Sequence, residues 1–135
     1  MPVLSVFFIR TSLFYLALGF TYGSWMLINK GVAAAPSFWG ALPAHIEFLL
    51  IGWVIQLILG VAFWILPRFS HEPTRGNERL AWLSYIMINI GIWMVLLSPL
   101  FYELPWLSLL GRLMETGAAL LFVLHAWPRI KAVGA

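Results

Sequence analysis

His45 and the residues that follow it at helical spacing form the most chemically suggestive pattern in the chain. Gly52, Gln56, Gly60 and Pro67 lie 7, 11, 15 and 22 residues after the histidine. At about 100° per residue of an α-helix, all four fall within roughly 60° of its direction. An imidazole at the mouth of a hydrophobic segment, with small or polar residues beneath it, suits an axial ligand to haem iron. The pattern predicts a cofactor-binding stripe with His45 as the metal ligand.

Polar side chains also open the last hydrophobic segment, where a membrane would make them costly. Arg112 and Glu115 are three residues apart, close enough to pair along a helix. Two interpretations stay open: the arginine clamps a haem propionate or an anionic lipid headgroup, or the two charges only neutralise each other. Glu47 points about 200° away from His45 around a helix. We therefore expect Glu47 at the outer interface or against Arg112.

The other two histidines are placed too far away to share the same iron. His125 lies near the opposite membrane face from His45, about 25–30 Å away in depth if both helices span. The iron would then take its second ligand from another chain, from Met26, or have none. His71 lies in a hydrophilic loop, where a hydrated side chain is the ordinary expectation. For His125 we expect an interfacial position beside Trp127, the alternative being a second cofactor shared with His71.

The elements that must position these residues are four long apolar segments. The chain has 135 residues, of which 62% are hydrophobic and 10% charged, a composition that excludes a soluble domain. Segments long enough to span a bilayer lie at about 5–29, 44–66, 79–102 and 106–128. They predict an all-α membrane protein, a single four-span domain over 1–135 arranged as an up-down bundle. Because the chain has no cysteine, disulfides, iron–sulfur clusters and thiol catalysis are excluded.

The distribution of basic residues predicts the orientation of the bundle. If the N-terminus is inside, two basic residues lie outside, Lys30 and Arg112. Six lie inside: Arg10, Arg68, Arg75, Arg79, Arg129 and Lys131. This bias favours both termini on the cytoplasmic side of the inner membrane. It also accounts for the net charge of +3 without a nucleic-acid partner. The N-terminal segment lacks a basic region before its apolar run, so we expect a retained first span, not a secretory signal.

Three features predict how the spans pack. Gly19 and Gly23 form a G-x-x-x-G pair that lets another helix approach closely, either within the chain or at a seam between chains. Asn89, in the middle of the third span, is expected to hydrogen-bond to a neighbouring helix. The short connection at 102–106 predicts that the third and fourth spans form a tight antiparallel pair.

The stretch from His45 to Arg68 resembles the second transmembrane helix of haem–copper oxidase subunit I and its nitric oxide reductase relatives. The resemblance implies that His45 is the axial ligand of a low-spin haem b, that Gly52 and Gly60 are the small positions, and that Pro67 is the terminal proline. It covers one helix of four. The family's catalytic subunit has twelve spans and a histidine set for copper that this chain lacks, so the resemblance does not extend to reduction of oxygen or nitric oxide by this chain alone.

The family's twelve spans form three four-helix arcs, and this chain resembles one arc, so the resemblance implies a homo-oligomer, with a trimer favoured. Three functions stay open. The first is a small b-type haem protein for electron transfer or for sensing a gas or quinol. The second is a cofactor-free accessory subunit of a larger respiratory or photosynthetic complex. The third is a quinone- or lipid-binding protein using Trp53 and Gln56.

Overall fold

Four long helices make up the computed structural model, which describes residues 1–32, 42–70, 73–101, 104 and 106–130. Helix α1 is Val3–Val32 and helix α2 is Leu42–Ile65. Helix α3 is Glu78–Leu97, and α4 is Trp106–Ala126. All four are long and apolar enough to cross a membrane, which confirms the prediction of an all-helical chain with four candidate spans.

Helices α1 and α2 form an antiparallel pair built on glycines. A Cβ placed on Gly52 would lie 2.6 Å from Cγ of Tyr15, and one placed on Gly60 would lie 2.6 Å from Cβ of Phe8. Nearer the other end, the His45 ring packs on Gly23. Residue numbers rise along one helix as they fall along the other, so the two helices run in opposite directions. The Gly19–Gly23 pair is used for this contact within the chain.

Helices α3 and α4 form a second, equally close antiparallel pair. A Cβ on Gly91 would lie 2.8 Å from the carbonyl oxygen of Gly111, so the two backbones nearly touch there. Further along, the Ser84 hydroxyl donates to the carbonyl of Ala118 at 2.7 Å. The prediction of a tight pair is confirmed.

Hydrogen bonds near mid-bundle join the two pairs. The Tyr15 hydroxyl donates to Asn89 Oδ1 at 2.9 Å, and Gln56 Nε2 donates to the same oxygen at 3.4 Å. Thr11 and Tyr85 share a hydrogen bond of 2.8 Å. Asn89 thus bonds to α1 and α2, as predicted. Since α1 and α3 contact each other with residue numbers rising together, the helices alternate in direction. The ends Val3, Ile65, Glu78 and Ala126 therefore lie together, at what we call the termini end; the opposite end is the far end.

Helix α2 is not α-helical throughout. Its first part, Leu42–Glu47, and its last part, Gln56–Ile65, are α-helical, but Phe48–Ile55 between them is a π-helix. Hydrogen bonds that reach one residue further turn the chain by about 80° per residue instead of 100°. Residues beyond the π segment therefore face directions that a uniform α-helix does not give them.

Candidate functional site

His45 is held at the far end of the bundle by the backbone of α1. Its Nδ1 lies 2.8 Å from the carbonyl oxygen of Gly19, and a Cβ on Gly23 would lie 2.7 Å from its Cε1. The two glycines thus let the imidazole approach the α1 backbone closely. Residues around it fix the ring position without covering it completely, because His45 is only partly buried.

The hydrogen bond of Nδ1 determines which nitrogen is available for chemistry. A backbone carbonyl can only accept, so Nδ1 carries a proton, and in the neutral ring Nε2 then carries the lone pair. Histidines that bind metals usually donate their other ring N–H to a carbonyl or carboxylate in this way, which fixes the tautomer and the ring orientation. His45 therefore has the geometry of a ligand that would bind through Nε2.

A cavity of about 520 Å³ lies beside this ring. Its size is in the usual range for small-molecule and cofactor sites, roughly 300–1,000 Å³. Besides His45 it is lined by residues of α1 and of α2, the last of them in the π-helical segment: Phe20, Gly23, Ser24, Met26, Leu27, Leu42 and Leu49. The structure thus brings Met26, the second candidate ligand, into the same cavity as His45. A smaller cavity of about 280 Å³, which His45 also lines, reaches Trp53.

Gly52, Gln56 and Gly60 of the predicted stripe do not line the larger cavity, although the two glycines face α1 as His45 does. Gly52 and Gly60 contact Tyr15 and Phe8 of α1, and their small size serves helix packing there. Gln56 is fully buried and faces α3. The π segment explains the separation, since the smaller turn per residue rotates Gln56 away from the direction of His45. The sequence pattern assumed α geometry throughout.

Arg112 bridges two buried carboxylates on the opposite side of α2. Its Nη2 lies 2.7 Å from Oε2 of Glu47, and its Nη1 lies 2.8 Å from Oε2 of Glu115. Both the pairing along the helix and the contact with Glu47 considered from the sequence are therefore present. The two glutamate side chains are 3% and 9% exposed, whereas that of Arg112 is 50% exposed. The other oxygen of each carboxyl, Oε1, is buried and accepts no hydrogen bond from the described residues.

His125 is buried within the protein at the termini end, so its ring nitrogens are not presented at the surface. It is 2% exposed. Its Nδ1 lies 3.0 Å from the carbonyl oxygen of Asn77, and its Nε2 lies 3.0 Å from Nη1 of Arg129. Both ring nitrogens are thus engaged within the chain. The alternative partner, His71, lies outside the described residues.

Arg129 closes the end of α2, a role that sequence analysis missed. Its side chain is 0% exposed. Its Nε donates to the carbonyl of Pro67 at 3.1 Å. Its Nη2 donates to the carbonyls of Phe63 and Leu66 at 3.1 and 2.8 Å. These carbonyls, at the end of a helix followed by proline, have no partners within the helix. A basic residue just after a span, facing such an end, is the signal that could have revealed the cap.

Among the described residues, no group of three or more His, Cys, Asp or Glu side chains could hold a metal ion by itself. Haem needs fewer protein ligands than a bare metal ion, since one or two axial ligands suffice. Compared with known proteins, the chain matches no family model, no curated protein and no solved structure.

Proposed function

We propose that this chain is a small integral membrane haem protein, in which Nε2 of His45 is an axial ligand to the iron of haem b. The single observation that carries the proposal is the hydrogen bond from His45 Nδ1 to the Gly19 carbonyl, which leaves Nε2 without a hydrogen bond to the described residues, beside a cavity of about 520 Å³. When bound, the haem would supply one-electron transfer or binding of a small gas.

The chain's own contribution is orientation and exclusion of water. The Gly19 carbonyl holds the imidazole in one tautomer, and Gly23 admits the ring against the α1 backbone. Apolar side chains such as Phe20 and Leu49 line the cavity, so a porphyrin edge there would contact an apolar surface. Met26 offers a thioether in the same cavity as a second ligand.

In this proposal the bundle sits in the inner membrane, with both termini cytoplasmic, and assembles with copies of itself. The cavity is lined by exposed residues such as Leu27 and Leu42, so a neighbouring chain could cover it. A trimer follows from the resemblance to one arc of a threefold arrangement. Glu47 points away from His45, and Arg112 binds Glu47. The proposal therefore gives Arg112 a propionate contact only where haem lies between chains.

The test is an absorption spectrum of the detergent-solubilised protein, oxidised and reduced, after expression with ample haem. We expect a Soret band that is lost or shifted in His45→Ala and unchanged in His71→Ala, a matched histidine control. Met26→Leu should alter the reduced spectrum if the thioether is the second ligand. A colourless wild-type protein, or the same spectrum in His45→Ala, would overturn the proposal.

A cofactor-free accessory subunit is the second candidate, and the exposure of α4 favours it. Only 17% of the spanning window of α4 is buried within the chain, against 28% to 33% for the other spans. A helix left this uncovered can be the contact surface for a larger redox complex. Under this candidate, the protein would be colourless, unstable alone and recovered together with other membrane subunits.

A further inference from the structure

The termini end contains a group of buried hydrogen bonds that the haem proposal does not use. His125 and Arg129 are 2% and 0% exposed, and they join the end of α2, the start of α3 and the end of α4. We propose that His125 and Arg129 form a proton-operated latch, which fastens the end of α2 when His125 is neutral and releases it when His125 binds a proton.

The two hydrogen bonds of the imidazole define its charge in the closed state. The Asn77 carbonyl only accepts, so His125 Nδ1 must donate to it. The Arg129 guanidinium only donates, so His125 Nε2 must accept from it. Both bonds exist together only in a neutral ring with its proton on Nδ1. Because the ring is buried and both nitrogens are engaged, no other tautomer satisfies the site.

Protonation would reverse the interaction between the two side chains. A proton on Nε2 would place an N–H donor against the N–H of Arg129, with two positive charges about 3 Å apart where an acceptor stood. The nearby charged groups would not compensate for the added positive charge. The groups that act on this pair from the loop and from α3 are Arg68, Arg75 and Glu78, two positive charges and one negative. The added charge therefore drives Arg129 away from His125.

Displacement of Arg129 reaches α2 directly, because the same guanidinium holds the end of that helix. Three carbonyls, those of Phe63, Leu66 and Pro67, accept from Arg129. Phe63 also lies under the guanidinium, with 5.5 Å from Cζ to the ring centroid, and stacks on His125 at 5.2 Å. Loss of these contacts would leave the helix end and the following loop free to open. The latch does not depend on haem binding at His45.

Thiol labelling tests the latch, since the natural chain has no cysteine. Ala126→Cys places a single thiol at a position 8% exposed, next to His125. Its labelling rate would be measured from pH 8 to pH 5 and divided by the rate in the unfolded protein at the same pH, which removes the intrinsic reactivity of the thiol. We expect this ratio to rise as the pH falls through the histidine range, by at most about tenfold per pH unit, the limit for one proton.

His125→Gln is the decisive variant, because an amide can accept from Arg129 and donate to Asn77 without titrating. In that background we expect a flat ratio, whereas His71→Gln should behave as the wild type. A flat ratio in the wild type, or a pH-dependent one in His125→Gln, would overturn the latch. If His125→Gln does not fold, nuclear magnetic resonance of ¹⁵N-histidine in the wild type decides: the Nδ1–H tautomer must be lost over the same pH interval in which labelling accelerates, and a mismatch rejects the proposal.

Discussion

Each end of the bundle contains an arginine that pairs with other polar groups, but the two differ in burial and in how completely their partners are paired. At the termini end, Arg129 is fully buried, and each of its three nitrogens has a partner within the chain. At the far end, Arg112 is half exposed and bridges two carboxyls that each keep a buried oxygen without a partner among the described residues. Buried polar groups are normally satisfied, so unused capacity needs an explanation.

The hydrogen-bonding groups of Arg129 are all used within the chain, whereas the carboxyls around Arg112 have oxygens that could accept a further hydrogen bond. Around Arg129 and His125 donors and acceptors match, as a helix cap requires, although Ser5 Oγ and Arg75 Nε of the same end have no partner among the described residues. At the far end, Nε2 of His45 lies beside a cavity, and among the described residues it has no hydrogen-bond partner, nor has one oxygen of each of the Glu47 and Glu115 carboxyls. Buried polar atoms without a partner are uncommon in folded proteins. The two arginines therefore differ in how completely their partners are paired: those of Arg129 are matched, whereas Glu47 and Glu115 beside Arg112 keep unpaired oxygens.

The largest expected effect comes from breaking the termini end. Arg129→Met keeps the length of the side chain but removes its donors, which leaves three carbonyls at the end of α2 and the acceptor of His125 without partners. We expect a loss of unfolding free energy on the order of 3–5 kcal/mol, measured by denaturant titration in detergent.

Arg68→Met is the matched control for that substitution, since it removes an arginine of the same end whose side chain is exposed. Surface changes of this kind usually alter stability by about 0.5 kcal/mol or less. Equal losses in the two variants would show that the cap contributes nothing beyond general charge, and the contrast between the two ends would lose its basis.

A smaller effect is expected when the far end is broken in the same way. Arg112→Met leaves Glu47 and Glu115 without a counter-charge, but the guanidinium it removes is 50% exposed, so part of its interaction is screened by solvent or headgroups. We expect a loss of about 2 kcal/mol. Adding Glu47→Gln should recover part of it, because the amide removes one of the two uncompensated charges.

The double-mutant cycle of Arg112 and Glu47 measures that recovery as a coupling energy. A loss as large as that of Arg129→Met, or no coupling with Glu47, would mean that the far end is as purely structural as the termini end. Soret absorbance of the same variants would show separately whether the carboxyl cluster affects a haem.

The features that sequence analysis predicted are those that depend on local composition. The four helices follow from hydropathy alone, and the α3–α4 pair follows from the short connection at 102–106. Asn89 could be assigned a partner on another helix because a lone amide among apolar residues needs one. The sequence offered the contact of Glu47 with Arg112 as one of two alternatives, because it required only that α2 and α4 come near each other at this end.

The features that it did not predict depend on three-dimensional fit. The π-helix of Phe48–Ile55 changes the direction of every later side chain of α2, and no residue type in FLLIGWVI predicts it. The cap by Arg129 joins residues more than 60 positions apart in the chain, as its bond to the Phe63 carbonyl shows. The basic-residue count used for orientation treated this arginine as one of six flanking charges, although it is 0% exposed.

Gly52 offers the smallest test, at the middle of α2 between the two ends. A Cβ there would lie 2.6 Å from Cγ and 2.9 Å from Cβ of Tyr15, atoms near the backbone that cannot easily move aside. We expect Gly52→Ala to cost about 1–2 kcal/mol through overpacking. In Gly31→Ala a Cβ would meet nothing within 4 Å, so this matched variant should be nearly neutral. If Gly52→Ala lost no more unfolding free energy than Gly31→Ala, α1 would not pack closely against this part of α2. The stripe that follows His45 would then have room for a cofactor.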